Sequence, residues 1–336
     1  MNILVTGGAG YIGSHTCVEL LQKGHTVSIV DNLYNSSKEV IARIELIAGK
    51  KINFYEVDLL NKEELNKVFD SQDFDLVIHF AGYKAVGESV EKPLEYYHNN
   101  MVGIINLCEV MREHNVFKLI FSSSATVYGD PKSVPINEDF PLSTTNPYGS
   151  TKLMTEMILS DLAFADERWG IVALRYFNPI GAHKSGLIGE TPNGIPNNLT
   201  PYIAQIATGQ RDFLRVWGND YETIDGTGVR DYIHVVDLAL GHAAAIDYVV
   251  ENSGIEFVNL GRGQGYSVLE VLHAFEKACG KTLPYQIMER RAGDIAESYA
   301  STKKAEDLFQ WKALMDIDEM CCDLWNFSLK NPNGIE

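Results

Sequence analysis

The chain has 336 residues, of which 45% are hydrophobic and 22% are charged. These values are ordinary for a globular protein with a large buried core, and they exclude disordered and fibrous classes. The formal net charge of −17 repels the phosphate backbone of DNA and RNA, so we expect no nucleic-acid partner.

Short β-branched segments alternate with longer amphipathic segments through the first half of the chain. The alternation predicts strands at residues 2–6, 26–30, 52–57, 75–80, 117–123 and 171–176. Helices are predicted between them at residues 12–23, 37–48, 61–70, 95–114 and 148–165. Strands separated by helices form βαβ units, so we predict a Rossmann-type α/β fold with a doubly wound parallel sheet.

The composition changes after Tyr176. Residues 178–200 are rich in Gly, Pro and Asn, which is typical of a functional loop, and residues 232–250 predict a strand followed by a helix. We therefore predict a Rossmann domain over residues 1–176, joined by 230–260, which would bind the cofactor. A smaller, loop-rich substrate domain would take up most of residues 177–336.

Three glycines lie at the turn between the first predicted strand and the first predicted helix. Gly7, Gly10 and Gly13 have the spacing G-x-x-G-x-x-G, which permits a tight turn and brings the helix N-terminus close to a pyrophosphate. Asp31 closes the second strand, 18 residues after Gly13. A carboxylate there accepts a hydrogen bond from a ribose 2′-hydroxyl and repels a 2′-phosphate, which favours NAD over NADP.

Other polar groups follow the next strands. Asp58 ends the third strand, where it could contact an adenine amino group or, alternatively, cap a helix. Residues 79–87 end the fourth strand with small side chains, and their Lys84 could face either phosphate or solvent. A later glycine cluster, formed by Gly261, Gly263 and Gly265, is interpreted as a structural turn.

Tyr148 and Lys152 form a Y-x-x-x-K pair at the start of a predicted helix. Their spacing puts both side chains on one face of the helix. Removing hydride from a carbinol requires a base, and a free tyrosine with a pKa of ~10 is a poor one at neutral pH. A neighbouring ammonium and a positive nicotinamide ring would both favour the phenolate. Ser124, at the end of the fifth strand, would orient the substrate oxygen.

With these motifs the sequence resembles the extended short-chain dehydrogenase/reductase family, and within it the nucleotide-sugar 4-epimerases. The resemblance extends over nearly the whole chain. It rests on TGGAGYIGSH, FAGYKAVGES, FSSSATVYG, NPYGSTK, RYFNPIGAH, GIPNNL and GTGVRDYIHVVDLA.

The resemblance implies an NAD-dependent isomerase that reversibly inverts C4 of UDP-glucose and UDP-galactose. Tyr148 would take the proton of the 4-hydroxyl while hydride passes from C4 to tightly held NAD. The resulting 4-ketose would rotate, and the hydride would return to its other face. The family also implies a homodimer, with the helices near 95–114 and 148–165 at its interface.

The resemblance also assigns the binding residues. Asn178 and Asn198 would contact sugar and diphosphate, Arg230 and Arg291 the diphosphate, and Asp294 a ribose hydroxyl. The full substrate set is Lys84, Ser124, Tyr148, Asn178, Asn198, Leu199, Arg230, Arg291, Asp294 and Ser298. The full cofactor set is Gly7, Gly10, Tyr11, Ile12, Gly13, Asp31, Asn32, Asn35, Ser36, Asp58, Leu59, Phe80, Ala81, Gly82, Lys84, Asn99, Ser122, Tyr148, Lys152, Tyr176 and Phe177. Tyr176 and Phe177 could alternatively be plain core residues.

Ser298 is a candidate for substrate selection. It lies four residues after Asp294 of the R-x-G-D motif. In the family, a tyrosine at this position goes with hexose-only members, and a small residue goes with members that also accept 2-N-acetyl sugars. We therefore expect UDP-N-acetylglucosamine and UDP-N-acetylgalactosamine to be accepted too, unless a one-residue slip puts Tyr299 at this position.

Two other functions compete with epimerisation. Nucleotide-sugar 4,6-dehydratases place an Asp-Glu pair just after the catalytic Ser or Thr, whereas Ala125 and Thr126 follow Ser124 here. Non-catalytic NAD-sensing regulators on this fold typically lose the Tyr–Lys pair, which this chain keeps. Both alternatives are therefore disfavoured.

Cysteine usage and hydropathy suggest the compartment. The five cysteines are an odd number with no metal-like spacing, which argues against both a disulfide framework and a metal site. Apolar runs fall short of the ~18 residues that a membrane span requires, and no signal peptide precedes the first strand. We expect a cytoplasmic protein without a membrane segment.

Overall fold

The computed structural model describes residues 1–191, 194, 196, 198–291 and 294–335. The predicted motifs GIPNNL and RAGD therefore lie partly outside the described residues. In the described part the strands are β1 (Asn2–Thr6), β2 (Thr26–Asp31), β3 (Asn53–Glu56), β4 (Leu76–His79), β5 (Lys118–Ser124), β6 (Gly170–Tyr176), β7 (Asn178–Ile180), β8 (Leu214–Trp217), β9 (Val229–His234), β10 (Gly254–Leu260), β11 (Gly265–Ser267), β12 (Tyr285–Met288) and β13 (Glu297–Ser298).

The helices surround these strands. They are α1 (Tyr11–Gln22), α2 (Glu39–Ala48), α3 (Lys62–Ser71), α4 (Val86–Glu91), α5 (Pro93–Tyr97), α6 (Gly103–Glu113), α7 (Pro147–Ala165), α8 (Leu199–Ala207), α9 (Val235–Glu251), α10 (Val268–Cys279), α11 (Lys303–Phe309) and α12 (Ile317–Lys330). A π-helical turn, His98–Val102, joins α5 to α6, so the single helix predicted over residues 95–114 is interrupted.

A parallel sheet of seven strands forms the centre of the molecule, in the order β3-β2-β1-β4-β5-β6-β10. The chain winds outward from β1 through β2 to β3, then returns to β4 on the other side of β1. The point where the order reverses is where open α/β sheets bind their ligands. This sheet confirms the predicted Rossmann-type α/β fold.

Both faces of the central sheet are buried, which explains why its strands are almost continuously apolar. Ile3 and Val5 of β1 belong to one core, which also contains side chains from α1, α2 and α9. Leu4, between them, belongs to the opposite core with side chains from α3, α6 and α7. The alternation of strand side chains thus creates two helical layers.

A smaller region covers the carboxyl edge of the central sheet. Its strands form two sheets, one with β9 paired to β7, β11 and β13, and one with β8 paired to β12. Helices α8, α10 and α12 pack together in its core. Within residues 230–260, which sequence analysis grouped with the Rossmann domain, β10 joins the central sheet, whereas β9 lies in this smaller region.

Two features are absent from the residues that the structure describes. No helix there is both long and apolar enough to cross a bilayer. No three side chains of the His, Cys, Asp and Glu types are grouped as metal ligands in that part of the chain.

Candidate active site

A cavity of about 1740 Å³ lies between the carboxyl edge of the central sheet and the smaller region. The ends of β1, β2, β4, β5 and β6 contribute side chains to its wall. Every residue predicted to bind cofactor or substrate lines this cavity, except Arg230 and Ser298.

The glycine turn brings backbone directly to the cavity wall. Gly7 has a positive φ of 70°, and its N–H donates to the carbonyl of Val30 at 2.8 Å. A Cβ on Gly7 would lie 2.6 Å from the backbone nitrogen of Ala81, and one on Gly13 would collide with the carbonyl oxygen of Gly7. Only glycine fits at these two positions, and the N-terminus of α1 is thereby left open to an anionic group.

Asp31 is held rigidly at the end of β2. Its Oδ2 accepts the backbone N–H of Ala9 at 3.0 Å, and its Oδ1 accepts from the backbone of Leu33 and the hydroxyl of Ser36. Burial raises the pKa of Asp31, and these three hydrogen bonds oppose that rise. The nearby cation Lys38 pairs with Glu56 at 4.0 Å.

The helix-cap alternative for Asp58 is wrong. Asn61 caps α3 by accepting the backbone N–H of Glu64, while Asp58 lies before the cap. One carboxylate oxygen of Asp58 accepts from the backbone of Leu60 at 2.8 Å, and the other from Asn32 Nδ2 at 2.9 Å. Asp58 and Asn32 both line the cavity, and their contact with the cofactor stays a prediction.

The start of α7 fixes the Tyr–Lys pair. Asn146 caps the helix by accepting the backbone N–H of Gly149 at 2.8 Å, so Tyr148 lies in the first turn, at the cavity. Lys152 follows one turn later and is almost fully buried. Its ammonium donates to the carbonyl of Ser122 at 2.6 Å and lies 5.9 Å from the centroid of the Tyr148 ring. Burial lowers the pKa of Lys152 to about 8.

Ser124 completes this group at the end of β5. Its Oγ accepts two hydrogen bonds from Thr126, one from the backbone at 3.2 Å and one from the hydroxyl at 3.0 Å. Because both bonds are accepted, the Ser124 hydroxyl hydrogen remains available for another acceptor.

Lys84 adds a second cation to the one predicted to act on Tyr148. Burial raises the pKa of Tyr148, and a hydrogen bond with Ser124 and the charge of Lys84 oppose that rise. The sequence predicts such a charge from Lys152, whose ammonium donates to the Ser122 carbonyl and lies over the phenol ring.

The π-helical turn contributes Asn100, which sequence analysis missed. Asn100 Oδ1 accepts from the backbone N–H of Tyr83, and its Nδ2 donates to Thr151 Oγ1 at 3.0 Å. The amide therefore fastens the segment that carries Lys84 to α7. Single π-turns within α-helices are frequent at functional sites, but the sequence pattern that produces them is not distinctive.

Tyr176 and Phe177 both line the cavity and belong to the hydrophobic core. The two interpretations of these residues are therefore compatible. The hydroxyl of Tyr176 is hydrogen-bonded to His242 Nε2, behind the cavity wall. A ligand in the cavity can therefore contact the aromatic rings of these two residues, whereas the hydroxyl of Tyr176 is already bonded to His242.

The two arginines predicted to bind the diphosphate are both bonded to neighbouring protein groups. Arg291 and Asp294 line the cavity and pair with each other, Nε to Oδ2, at 2.8 Å. Arg230 directs one Nη1 to the carbonyls of Val229 and Ile295, 2.8 and 2.9 Å away. It thereby bridges β9 to the segment before β13, outside the cavity lining.

Ser298 also lies outside the lining that the described residues form. It pairs in parallel register with Arg230, as part of β13. The next residue, Tyr299, packs its ring beside Gly265, where a Cβ would lie 3.3 Å from the ring. Tyr299 follows the end of β13, so the two residues occupy different positions. The roles of Arg230 and Ser298 stay predictions.

The third glycine cluster is part of a turn that the buried Asp231 holds. The carboxylate of Asp231 accepts the backbone N–H groups of Arg262 and Gly263 at 2.8 and 3.0 Å. Gly261, Gly263 and Gly265 are all absent from the cavity lining that the described residues form.

Glu190 is a further cavity residue that sequence analysis missed. One of its carboxylate oxygens accepts from Lys84 Nζ and from Asn198 Nδ2, each at 3.0 Å. Two residues predicted to contact substrate are therefore joined by a carboxylate that carries no recognisable motif.

Known proteins are similar to this chain over nearly its whole length. A family profile described as GDP-mannose 4,6 dehydratase matches residues 4–324. The UDP-glucose 4-epimerase of Bacillus subtilis (strain 168) is 58% identical over 334 residues, which cover 99% of this chain and 98% of that protein. The Bifidobacterium longum UDP-glucose 4-epimerase, solved in complex with NAD+ and UDP, has a TM-score of 0.96 and 56% identity over 99% of this chain and 100% of that one. The UDP-Glc/GlcNAc 4-epimerase of Campylobacter jejuni has a TM-score of 0.87 and 38% identity over 98% and 99% of the two chains.

Proposed function

This chain belongs to the UDP-glucose 4-epimerase family, and we propose that it interconverts UDP-glucose and UDP-galactose by inverting C4 of the sugar in the cavity described above. It is an NAD-dependent isomerase. The observation that carries the assignment of the site is that Tyr148, Lys152 and Ser124 share one cavity with the glycine turn and Asp31. This shared lining supports a base for a sugar hydroxyl next to a dinucleotide site.

The residues of the cofactor half fit NAD. The space that a Cβ would fill at Gly7 and Gly13 lets the N-terminus of α1 approach a pyrophosphate. Asp31 would bind the adenosine ribose, and Asp58 with Asn32 the adenine. When bound, NAD accepts the hydride from C4 and returns it, so no net oxidation occurs.

The catalytic residues would divide the proton chemistry between them. Tyr148 takes the proton of the 4-hydroxyl as a general base and returns it after the ketose has turned. Ser124, whose oxygen already accepts two hydrogen bonds from Thr126, would turn its own hydrogen from Tyr148 to the sugar oxygen when the substrate binds. Lys152 keeps a positive charge at the face of the phenol ring.

A dehydratase function is disfavoured by the residues after Ser124, although the matching family profile carries that description. Ala125 and Thr126 begin a 3₁₀ turn there, and the Thr126 hydroxyl bonds back to Ser124. Elimination of water across C5 and C6 needs a carboxylic acid and a base at these positions. The Tyr–Lys pair likewise disfavours a non-catalytic NAD sensor.

We propose that the N-acetylated UDP-sugars are substrates as well. Ser298 is small, and Tyr299, which follows the end of β13, packs beside Gly265. The relative from Campylobacter jejuni is named for both UDP-Glc and UDP-GlcNAc. Diphosphate contacts would come from Arg291 and Arg230.

We propose a homodimer built on the outer face of α5, α6 and α7. Met154, Met157 and Phe164 lie along one side of α7, and Phe164 is 94% exposed. Ile105 on α6 and Leu94 on α5 are exposed beside them. A stripe of exposed apolar side chains on packed helices is typical of a subunit interface.

We also propose that the protein works in the cytoplasm. All five of its cysteines are free thiols, and three of them are buried. Free thiols are typical of a reducing compartment. Fractionation of cells that express the tagged protein tests this location.

The proposed reaction is tested by incubating the purified protein with UDP-galactose and no added cofactor. NMR analysis of the products should show UDP-glucose at an equilibrium ratio. A 4-keto-6-deoxy sugar would support the dehydratase instead, and unchanged substrate with cofactor-loaded protein would contradict both enzymes.

A further inference from the structure

Glu190 lies at the meeting point of the two halves of the cavity. Its side chain is 9% exposed, and one carboxylate oxygen is shared by Lys84 Nζ and Asn198 Nδ2. Lys84 comes from the segment after β4, and Asn198 immediately precedes α8. The carboxylate thus ties the Rossmann half to the substrate half at a position that no motif indicates.

The local fold explains why Glu190 points into the cavity. Ala182 and Gly189 form an antiparallel bridge, and the N–H of His183 donates to the carbonyl of Ile188 at 3.1 Å. A Cβ on Gly189 would lie 2.6 Å from the ring of Phe327, so this side of the hairpin packs against α12. The next residue, Glu190, turns to the other side, which faces the cavity.

A chain of interacting groups leads from Glu190 to the reacting centre. The charge of Glu190 is the main cause that raises the pKa of Lys84, and the charge of Lys84 in turn favours the phenolate of Tyr148. Lys84 Nζ also lies 6.0 Å from the centroid of the Tyr11 ring. Glu190 is therefore connected to the proposed base, Tyr148, through one intermediate residue, Lys84.

Other groups also face this chain. Tyr11, whose pKa is raised by burial and by Glu190, directs its hydroxyl to the carbonyl of Gly181 at 2.7 Å. Ser124 and Tyr176 face Tyr148 from β5 and β6, and the ammonium of Lys152 faces its ring from the next turn of α7. Among the described groups that interact with Tyr148 and Lys84, Glu190 is the one carboxylate.

We propose that Glu190 is a positioning residue for the epimerisation, which holds the ammonium of Lys84 in the cavity that Tyr148 lines and limits how strongly that charge acts on the phenol. This role rests on the proposed function. Glu190 itself touches neither the sugar nor the cofactor in this assignment. Its effect on the reaction passes through Lys84.

The test is the pH dependence of Glu190→Gln. The amide oxygen can still accept from Lys84 and Asn198, but the negative charge is gone. Loss of a negative charge near Lys84 favours the phenolate, so the acid limb of kcat/KM should move to lower pH by about half a unit to one unit. Glu190→Asp keeps the charge, and its acid limb should stay near that of the wild type.

A double-mutant cycle separates this route from a direct effect on the fold. In a Lys84→Met background, Glu190→Gln should no longer move the acid limb. Glu64→Gln, which alters an exposed Glu–Lys pair on α3, is the matched control and should leave the profile unchanged. Coincident profiles of Glu190→Gln and the wild type would overturn the proposal, as would a shift that persists without Lys84.

A second readout does not depend on turnover. The ultraviolet absorbance of tyrosinate, taken as the difference between each protein and its Tyr148→Phe counterpart, follows the titration of Tyr148 directly. In the purified holoenzyme the Tyr148 midpoint should be lower in Glu190→Gln than in the wild type. This measurement stays informative if the wild type fails to epimerise UDP-galactose, so the two proposals can fail separately.

Discussion

The ammonium nitrogen of Lys152 lies 5.9 Å from the centroid of the Tyr148 ring, one turn further along the same helix. The helix cap at Asn146 sets the position of the ring, and the carbonyl of Ser122 sets that of the ammonium. The pair is therefore held from two sides, by α7 and by β5. This arrangement is the structural basis for assigning the base and its neighbouring charge.

Replacing Tyr148 with phenylalanine tests the base. Tyr148→Phe keeps the ring and removes the proton acceptor, so kcat should fall about 100-fold or more, the usual worth of general-base catalysis. The affinity for UDP should barely change, because the ring still fills its space. Steady-state kinetics and calorimetry measure the two effects. Tyr285→Phe, at an exposed edge strand, is the control; a fully active Tyr148→Phe enzyme would refute the mechanism.

The pH profile of the wild type tests the charge of Lys152. Burial lowers the pKa of Lys152 to about 8, so the ammonium is lost as the pH rises through that value. Turnover should therefore decline above about pH 8. Lys152→Met should be slower at every pH and should lack this alkaline limb. Lys303→Met, an exposed control, should keep it. If the alkaline limb survives in Lys152→Met, a group other than Lys152 is responsible for it.

Ser298→Tyr tests substrate selection. A tyrosine side chain would fill the space that an acetamido group needs while the ketose rotates. The variant should lose turnover of UDP-N-acetylgalactosamine and keep that of UDP-galactose. Tyr299→Phe should leave the ratio of the two activities unchanged, because Tyr299 packs beside Gly265. Product analysis with both substrates measures the two activities. A wild-type protein that does not convert the N-acetylated sugar would contradict this proposal.

Charged substitutions on α7 test the proposed dimer interface. Met157 and Phe164 are 60% and 94% exposed on α7, and replacing both with glutamate should convert the dimer to a monomer. Burying two carboxylates without partners costs several kcal/mol, far more than most interfaces tolerate. Sedimentation velocity measures the mass. Leu46→Glu, which is 71% exposed on α2, should remain dimeric. A monomeric wild type would contradict the assignment of the interface.

The sequence predicted the elements whose function depends on local spacing. Gly7 and Gly13 act within one turn, and Tyr148 and Lys152 act within one helix, so their arrangement is legible in the chain itself. Asp31 follows from its place at the end of β2. These residues and the fold class are therefore accessible without a structure.

The sequence does not indicate residues whose position depends on contacts between distant segments of the chain. Glu190 faces Lys84 because Gly189 packs against Phe327, which belongs to the C-terminal helix. Asn100 reaches Tyr83 and Thr151 only because a π-turn interrupts its helix. Lys84, a second charge that acts on Tyr148 beside that of Lys152, comes from the distant segment after β4, and the sequence does not indicate this role.

The central claim is that this chain moves one hydride off C4 and returns it to the same carbon. UDP-galactose that carries deuterium at C4, incubated with the purified protein and no added cofactor, tests it most directly. NMR should show UDP-glucose with the deuterium still at C4, because the hydride never leaves the site. Loss of deuterium from C4, transfer of it to C6, or no conversion by the cofactor-loaded protein would contradict the account.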